Sequence, residues 1–469
     1  MPSFQHTFLG VCGLCAALAS GFAHADGPTF DDPLRAEETL RLRGATLLAA
    51  RVAERPCAEQ LPATPLSAAD AVDLALCRQP QTREVWATAR AQAAQLGVAR
   101  AAWLPTLDGR VTGTSSRRDG QTTDQQNASL SLSWLVFDGG LRRANQDSAE
   151  ALLDVALANR DTTVQAVFLA ALQTYYNAQA TQSAVAAAQQ SERSAQESLA
   201  AAQLRYEVGT GTPADRLQAQ TAASQARLNR QRAEGEARNA LGALADALGF
   251  PAATAFALAE PESPGELTGF QRDVDGLIRA ALEQRPDLRA AQAQLRAVDA
   301  SIDAARAQGR PSLSLSAGPN WQRLEGERSH GNSIGLTLSV PIFTGFENSY
   351  RIRAAEALRD ARLAQNERLQ NQVTLDVWRA YQNLQTAAEA VQTTRDLLAS
   401  AEQSERVALG RYKAGVGNVL DLLNAQSALA TARVQRIQSE LDWHVYRATL
   451  AQAMGALDDT LLAAAPERP

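Results

Sequence analysis

The chain has 469 residues, 45% of them hydrophobic but only 5% aromatic, and alanine dominates. That mix suits long helices packed closely through small side chains and argues against a bulky globular core. A net charge of −6 argues against a nucleic-acid partner.

Residues 1–25 contain no Asp, Glu, Lys or Arg. An apolar run from Phe8 to Ala19 leads to Ala23-His24-Ala25, the order of an apolar segment and an A-x-A cleavage site. Only His6 stands ahead of the run, where a Lys or Arg is usual. A cleaved signal peptide is expected, with Asp26 first in the exported chain. Cys12 and Cys15 follow Val11 and Leu14, which suit lipoprotein processing poorly, so no lipid anchor is expected. Cys57 and Cys77 remain after cleavage. An exported chain meets an oxidising compartment, so a disulfide between them is expected; two buried free thiols are the alternative. No later apolar run is long enough for a transmembrane helix, and any crossing of a membrane must use strands in a closed barrel.

After an extension over residues 26–66, the pattern from Ser67 to Ala102 predicts a helix, with Ser67 as N-cap, Asp70 three residues on, and Pro105 as the stop. Two strands follow, about 106–137. Leu107 to Ser115 is the weaker. In Asn127 to Phe137, Ala128, Leu130, Leu132, Trp134 and Val136 alternate with Ser129, Ser131 and Ser133. A polar loop, Ser116 to Gln126, is expected between them. Strands of about 9–11 residues cross a bilayer when tilted, and Trp134 and Phe137 stand where an aromatic girdle would sit. A soluble hairpin is the other reading. Leu141 to Val208 then runs 68 residues without Pro or Gly, and predicts a helix about 100 Å long. Gly209 and Gly211 end it, and Pro213 opens a helix running to Leu248.

The plan then recurs. Residues 69–249 match 275–455 at a constant offset of 206, across a linker over 250–274. Pro80 pairs with Pro286, Pro105 with Pro311, Tyr175 with Tyr381, Arg205-Tyr206 with Arg411-Tyr412, Gly209 with Gly415, Gly211 with Gly417, and Asp215 with Asp421. The second half is expected to hold a helix, a hairpin at about 312–343 with a loop from Gln322 to Gly331, a long helix over 347–414 and a helix over 419–454. Helices 67–102 and 213–248 have 36 residues each, so two of them stacked end to end match one long helix. Four strands per chain cannot close a barrel, so membrane insertion demands an oligomer; three copies give twelve strands.

On these residues the chain resembles the TolC family of outer membrane efflux proteins over about 60–456. The motifs that carry the resemblance are Val340-Pro-Ile-Phe-Thr-Gly345, Tyr412-Lys-Ala-Gly-Val-Gly417 and Asp421-Leu-Leu-Asn424-Ala-Gln426, together with the duplication. The resemblance implies a mainly α, internally duplicated homotrimer. A twelve-stranded β-barrel in outer-membrane lipid would continue into a helical periplasmic tunnel. Segments 26–66, 250–274 and 456–469 would form an equatorial belt. At the periplasmic tip, the turns with Gly209, Gly211 and Gly415 would meet a periplasmic adaptor and an inner-membrane ABC or RND transporter. Asp421 matches a carboxylate ring at the family's narrowest point, and Asn424 stands at a second ring position that can carry Asp. A solvated carboxylate at a helix start is the alternative for Asp421. Asp215 and Tyr412 match contacts that hold the family's tip shut, Gly417 replaces a basic residue of that lock, and Tyr206 is the mate of Tyr412.

Only His330 and His444 follow the signal peptide, and neither G-x-S-x-G nor H-E-x-x-H occurs. No enzyme activity, cofactor or metal site is expected. The function expected is an exit duct for type I protein secretion or multidrug efflux, with a lean toward secretion from the cysteine-bearing extension and the missing lipid anchor. A soluble periplasmic coiled-coil scaffold is the alternative.

Overall fold

The computed structural model describes residues 32–43, 65–260, 273–324 and 327–457. The expected signal peptide, Cys57 and most of the C-terminal tail lie outside the described residues.

The elements in chain order are α1 (Ala36–Arg43), α2 (Ala68–Arg78), α3 (Pro80–Ala101), β1 (Thr106–Arg118), β2 (Gln121–Phe137), α4 (Leu141–Glu207), α5 (Pro213–Ala247), α6 (Val274–Gln284), α7 (Pro286–Ala307), β3 (Ser312–Leu324), β4 (Glu327–Ser339), α8 (Glu347–Lys413) and α9 (Val419–Ala453). Every element from α2 to α5 has its counterpart between α6 and α9.

The helix expected over 67–102 is two helices. Ser67 and Asp70 form a reciprocal capping box at the start of α2. Gln79 then leaves the helical region, with ψ 129°, ahead of Pro80 at the first position of α3. Proline removes an N–H and disfavours helical backbone in the residue before it. Pro286 divides α6 from α7 in the same way. The break lets the chain meet the end of another helix. The Gln79 side-chain amide donates to the Asp246 and Ala247 carbonyls of α5, both at 2.7 Å. Arg285, the mate of Gln79, donates to the Ala453 carbonyl of α9 at 3.3 Å. Orphan carbonyls at a helix end thus find donors from the helix that continues the column.

Helix packing gives four columns in the order α3/α5, α4, α7/α9, α8. Contacts are made through small residues, with Ala71, Ala75, Ala89, Ala93, Ala171 and Ala178 all fully buried. Removing a side chain's bulk lets helix axes approach within the close packing of protein interiors. The largest core sits midway along α4, where Val164, Phe168, Leu172 and Tyr175 meet α2 and the end of α5. Here Leu66 pairs with Leu258 in a parallel bridge, and the Tyr175 hydroxyl donates to the Leu66 carbonyl at 3.1 Å.

Of the extension, residues 32–43 and 65–66 lie among the described residues. Leu40 of α1 packs with Ala89, Leu96, Leu153 and Leu157, and Arg43 pairs with Glu150 and Asp154 at 3.0 and 3.2 Å. These positions place α1 between the midway core and the sheet, because its apolar and basic residues match that stretch of α3 and α4. Cys77 is disulfide-bonded.

The loop expected over 116–126 is strand. β1 and β2 pair through Arg118↔Gln121 and turn on Asp119 and Gly120 alone. Both residues have positive φ, 51° and 85°, as a two-residue turn that matches strand twist requires. In the loop expected over 322–331, residues 322–324 and 327–331 are strand as well, with Leu324 opposite Glu327. Polar residues masked these extensions, since alternation with apolar residues fades toward the hairpin tips.

Candidate functional site: the amphipathic sheet and the paired helix turns

The strands form one antiparallel sheet in the order β1-β2-β3-β4. Register assigns the faces. Leu107 stands opposite Leu132, Leu132 opposite Ala317, and Ala317 opposite Ile334. One face therefore carries Val111, Leu130, Trp134, Leu315, Leu336 and Leu338. Asp108 opposite Ser131, Ser133 opposite Ser316 and Ser314 opposite Thr337 define a polar face. The apolar face is bare: Val111, Leu336 and Ile334 are 60%, 66% and 81% exposed. Ordinary soluble surfaces seldom carry so continuous an apolar patch. β1 and β4 are the sheet's edges, with one side of each unpaired among the described residues.

Inside the sheet, Pro319 lacks the N–H that a central strand offers on both sides. Opposite it the β2–β3 ladder is interrupted between Ser129↔Asn320 and Leu132↔Ala317. A Cβ on Gly318 would lie 1.9 Å from the Leu130 carbonyl oxygen, so only glycine fits. Where β2 meets α4, the Asp138 carboxylate accepts from the backbone N–H groups of Gly140 and Arg142 and from the Arg142 guanidinium at 3.0 Å. Burial raises its pKa, but these hydrogen bonds outweigh burial and hold it below the ordinary carboxylate value.

The opposite end of the columns holds two turns built alike. In the first, Thr210 N–H bonds to the Arg205 carbonyl at 2.9 Å, and Gly209 has φ 79°. In the second, Val416 N–H bonds to the Arg411 carbonyl at 3.1 Å, and Gly415 has φ 81°. Each is the bond that closes a helix with a left-handed glycine. The second glycines are needed for space. A Cβ on Gly211 would stand 3.1 Å from Arg205 C, and one on Gly417 would stand 2.9 Å from Tyr412 N. A basic side chain at 417 has no room in this turn.

Past the turns the halves diverge. Thr212 and Asp215 cap α5 reciprocally: the Asp215 carboxylate accepts from Thr212 N–H at 3.1 Å. In α9, Asn418 caps by accepting from Leu420 N–H, and no such box forms. The Asp421 carboxylate makes no hydrogen bond or ion pair among the described residues. Asp421 and Asn424 are both exposed and stand three residues apart on one side of α9.

Asp215 is held by its own capping box. Tyr412 is buried among Val419, Leu422 and Ala201, and the Arg205 guanidinium lies 4.8 Å from its ring centroid. Arg205 also donates to the Tyr412 carbonyl at 3.2 Å, tying α4 to α8 across the halves. Tyr206 remains 39% exposed and lies under Arg216 of its own half. Sequence reasoning missed Arg205 as a tip residue, although the repeated Arg-Tyr pair marked it.

No helix among the described residues is long and apolar enough to cross a membrane. Comparison with known proteins agrees with the architecture. A family model described as outer membrane efflux protein matches residues 71–250 and 277–456, one match per half. Protein CyaE of Bordetella pertussis is 32% identical over 404 residues, 84% of each chain. Outer membrane protein OprJ of Pseudomonas aeruginosa is 28% identical over 402 residues, covering 82% of this chain and 83% of its own. In structure, the outer membrane protein VceC of Vibrio cholerae superposes with a TM-score of 0.73 at 20% identity, covering 83% of this chain and 97% of its own. The chain belongs to the outer membrane efflux protein family.

Proposed function

We propose that the protein is the outer-membrane exit duct of a three-part export machine, receiving substrate from an inner-membrane transporter through a periplasmic adaptor. The observation that carries this reading is the four-stranded sheet, with one bare apolar face, one polar face and two unpaired edges. Hydrocarbon accepts the apolar face, water in a lumen accepts the polar one, and neither tolerates an open edge. Three copies close twelve strands, and the columns of helix below them form a tube. A soluble scaffold would have to leave that apolar face in water.

At the turn end, Asp421 and Asn424 line the constriction. Three Asp421 carboxylates around a narrow axis attract multivalent cations and repel anions. Asn424 keeps the hydrogen-bonding groups and omits the second ring of charge. The paired glycine turns meet the adaptor. Protein secretion is the favoured substrate class, on the extension that α1 docks beside α3 and α4. Drug efflux is the second reading, because relatives such as the antibiotic efflux pump outer membrane protein ArpC of Pseudomonas putida align over 77% of the chain.

Deletion of the protein, followed by secretome and drug-susceptibility measurements, tests both. Loss of a secreted protein with unchanged susceptibility supports secretion, and the reverse supports efflux. No change in either assay, or recovery of the protein from soluble fractions without the heat-modifiable gel mobility of a barrel, rejects the duct.

A further inference from the structure

The repeat turns the contacts inside one chain into a map of contacts between chains. Column α7/α9 packs against α4, and its mate in the first half is α3/α5. The mate of α4 is α8. In a ring, one flank of α8 therefore receives α3/α5 of a second copy, as α4 receives α7/α9.

Side chains on those free flanks match the map. Within the chain, Arg296 of α7 pairs with Asp154 of α4 at 3.0 Å, and Arg289 pairs with Asp161 at 3.9 Å. Moved by the repeat offset, Arg296 becomes Arg90, Asp154 becomes Asp360, Arg289 becomes Arg83 and Asp161 becomes Glu367. All four keep their sign and all four are exposed. Among the described residues Arg83, Arg90 and Glu367 make no ion pair, and Asp360 meets only its neighbour Arg359, at 4.0 Å. Nearer the turns, Gln426 donates to the Ser198 hydroxyl at 3.0 Å. The mates are Gln220 and Ser404, again a Gln and a Ser, again exposed.

Apolar residues follow the same rule. Leu169 and Leu172 on α4 are 9% and 2% exposed, while their mates Leu375 and Trp378 on α8 are 43% and 46% exposed. The sheet repeats the pattern once more. β2 and β3 pair through Leu132↔Ala317, whose mates are Leu338 on edge strand β4 and Val111 on edge strand β1.

We infer that this face of α8 docks a second copy of the chain, with Asp360 against the second copy's Arg90, Glu367 against its Arg83, and Ser404 against its Gln220. Its edge strand β4 pairs with β1 of that copy at Leu338↔Val111. The inference rests on the ring reading above and gives it a register. Two rings of ion pairs, one inside chains and one between them, then alternate around the tube.

The test uses the full chain in outer membranes. Cysteines at Arg90→Cys and Asp360→Cys, treated with a short bismaleimide, are expected to give dimer and trimer bands. Neither single variant should do so. The pair Asp154→Cys and Arg296→Cys should crosslink within the chain, with no gain in size. Charge reversal adds a readout that needs no crosslinker: Asp360→Arg is expected to lower the assembled fraction, and Arg90→Asp added to it to restore that fraction. Assembled protein without crosslinked bands at 90 and 360, or charge reversal without rescue, overturns the register and leaves the ring standing. Wild-type protein that is monomeric by native gel and light scattering overturns both.

Discussion

The Arg205 guanidinium stands 4.8 Å above the Tyr412 ring and donates to the Tyr412 carbonyl at 3.2 Å, so one side chain clasps the ends of α4 and α8. A cation over a tyrosine face contributes about 0.5–2 kcal/mol, depending on how far water is excluded. Tyr412 is 4% exposed, which places the clasp toward the upper part of that range. Arg205→Ala is therefore expected to loosen the tip, raising open probability roughly three- to twentyfold in planar bilayers. Tyr412→Phe keeps both ring and carbonyl and should gate like the native protein. An unchanged open probability in Arg205→Ala removes the clasp from the gate.

Asp421→Ala is expected to abolish block by trivalent cations and to lower cation selectivity, because the ring loses its charges. Asn424→Asp should do the opposite and tighten block by restoring a second ring. Single-channel recordings with and without a hexammine cation separate the two. Conductance and block that stay native in both variants would place the constriction elsewhere.

Gly318→Val is expected to prevent assembly of the sheet, since its Cβ would meet the Leu130 carbonyl oxygen at 1.9 Å. Neither backbone can yield without breaking the β2–β3 ladder. The readout is loss of heat-modifiable mobility on gels. Gly113→Val, on β1 with open space around its Cβ, is the control and should assemble.

Asp138 couples stability to pH. Its carboxyl is held below the ordinary value in the folded chain, so the folded state binds its proton less readily than the unfolded chain. Its contribution is present above the unfolded pKa, about 3.9, and is lost as pH falls through the folded one. Asp138→Asn is expected to cost roughly 2 kcal/mol at neutral pH, since Arg142 keeps its buried charge without its partner. The cost should shrink as pH falls below about 4, where the unfolded chain's carboxyl takes up its proton first, and vanish once pH passes the lower folded value. Thermal melts followed by circular dichroism between neutral pH and pH 3 measure both. A variant whose deficit does not vary with pH would show that Asp138 acts by packing alone.

The first long helix was legible because nothing in it competes. Leu141 to Glu207 has neither Pro nor Gly, and its ends are marked by Gly140 and Gly209. The strands were legible where Leu130, Leu132 and Trp134 alternate with serines. They were not legible at their tips, where Thr122, Asp124 and Gln126 look like loop and only Asp119-Gly120 signals the turn. The break at Gln79 was also in view, as Pro80 and its mate Pro286. A helical pattern on both sides hid it until the Asp246 carbonyl showed what the break is for.

The sequence by itself determined the duplication, the kind and order of elements in each half, and the two glycine turns. These follow from local chemistry: periodicity, caps, prolines and residues that accept positive φ. Only the tertiary structure decided that Arg205 reaches Tyr412, that α1 lies on the sheet side of the core, and that Gly318 admits no side chain. Those outcomes depend on which surfaces distant segments bring within a few ångströms of one another. Residue pattern within a segment carries no record of that distance.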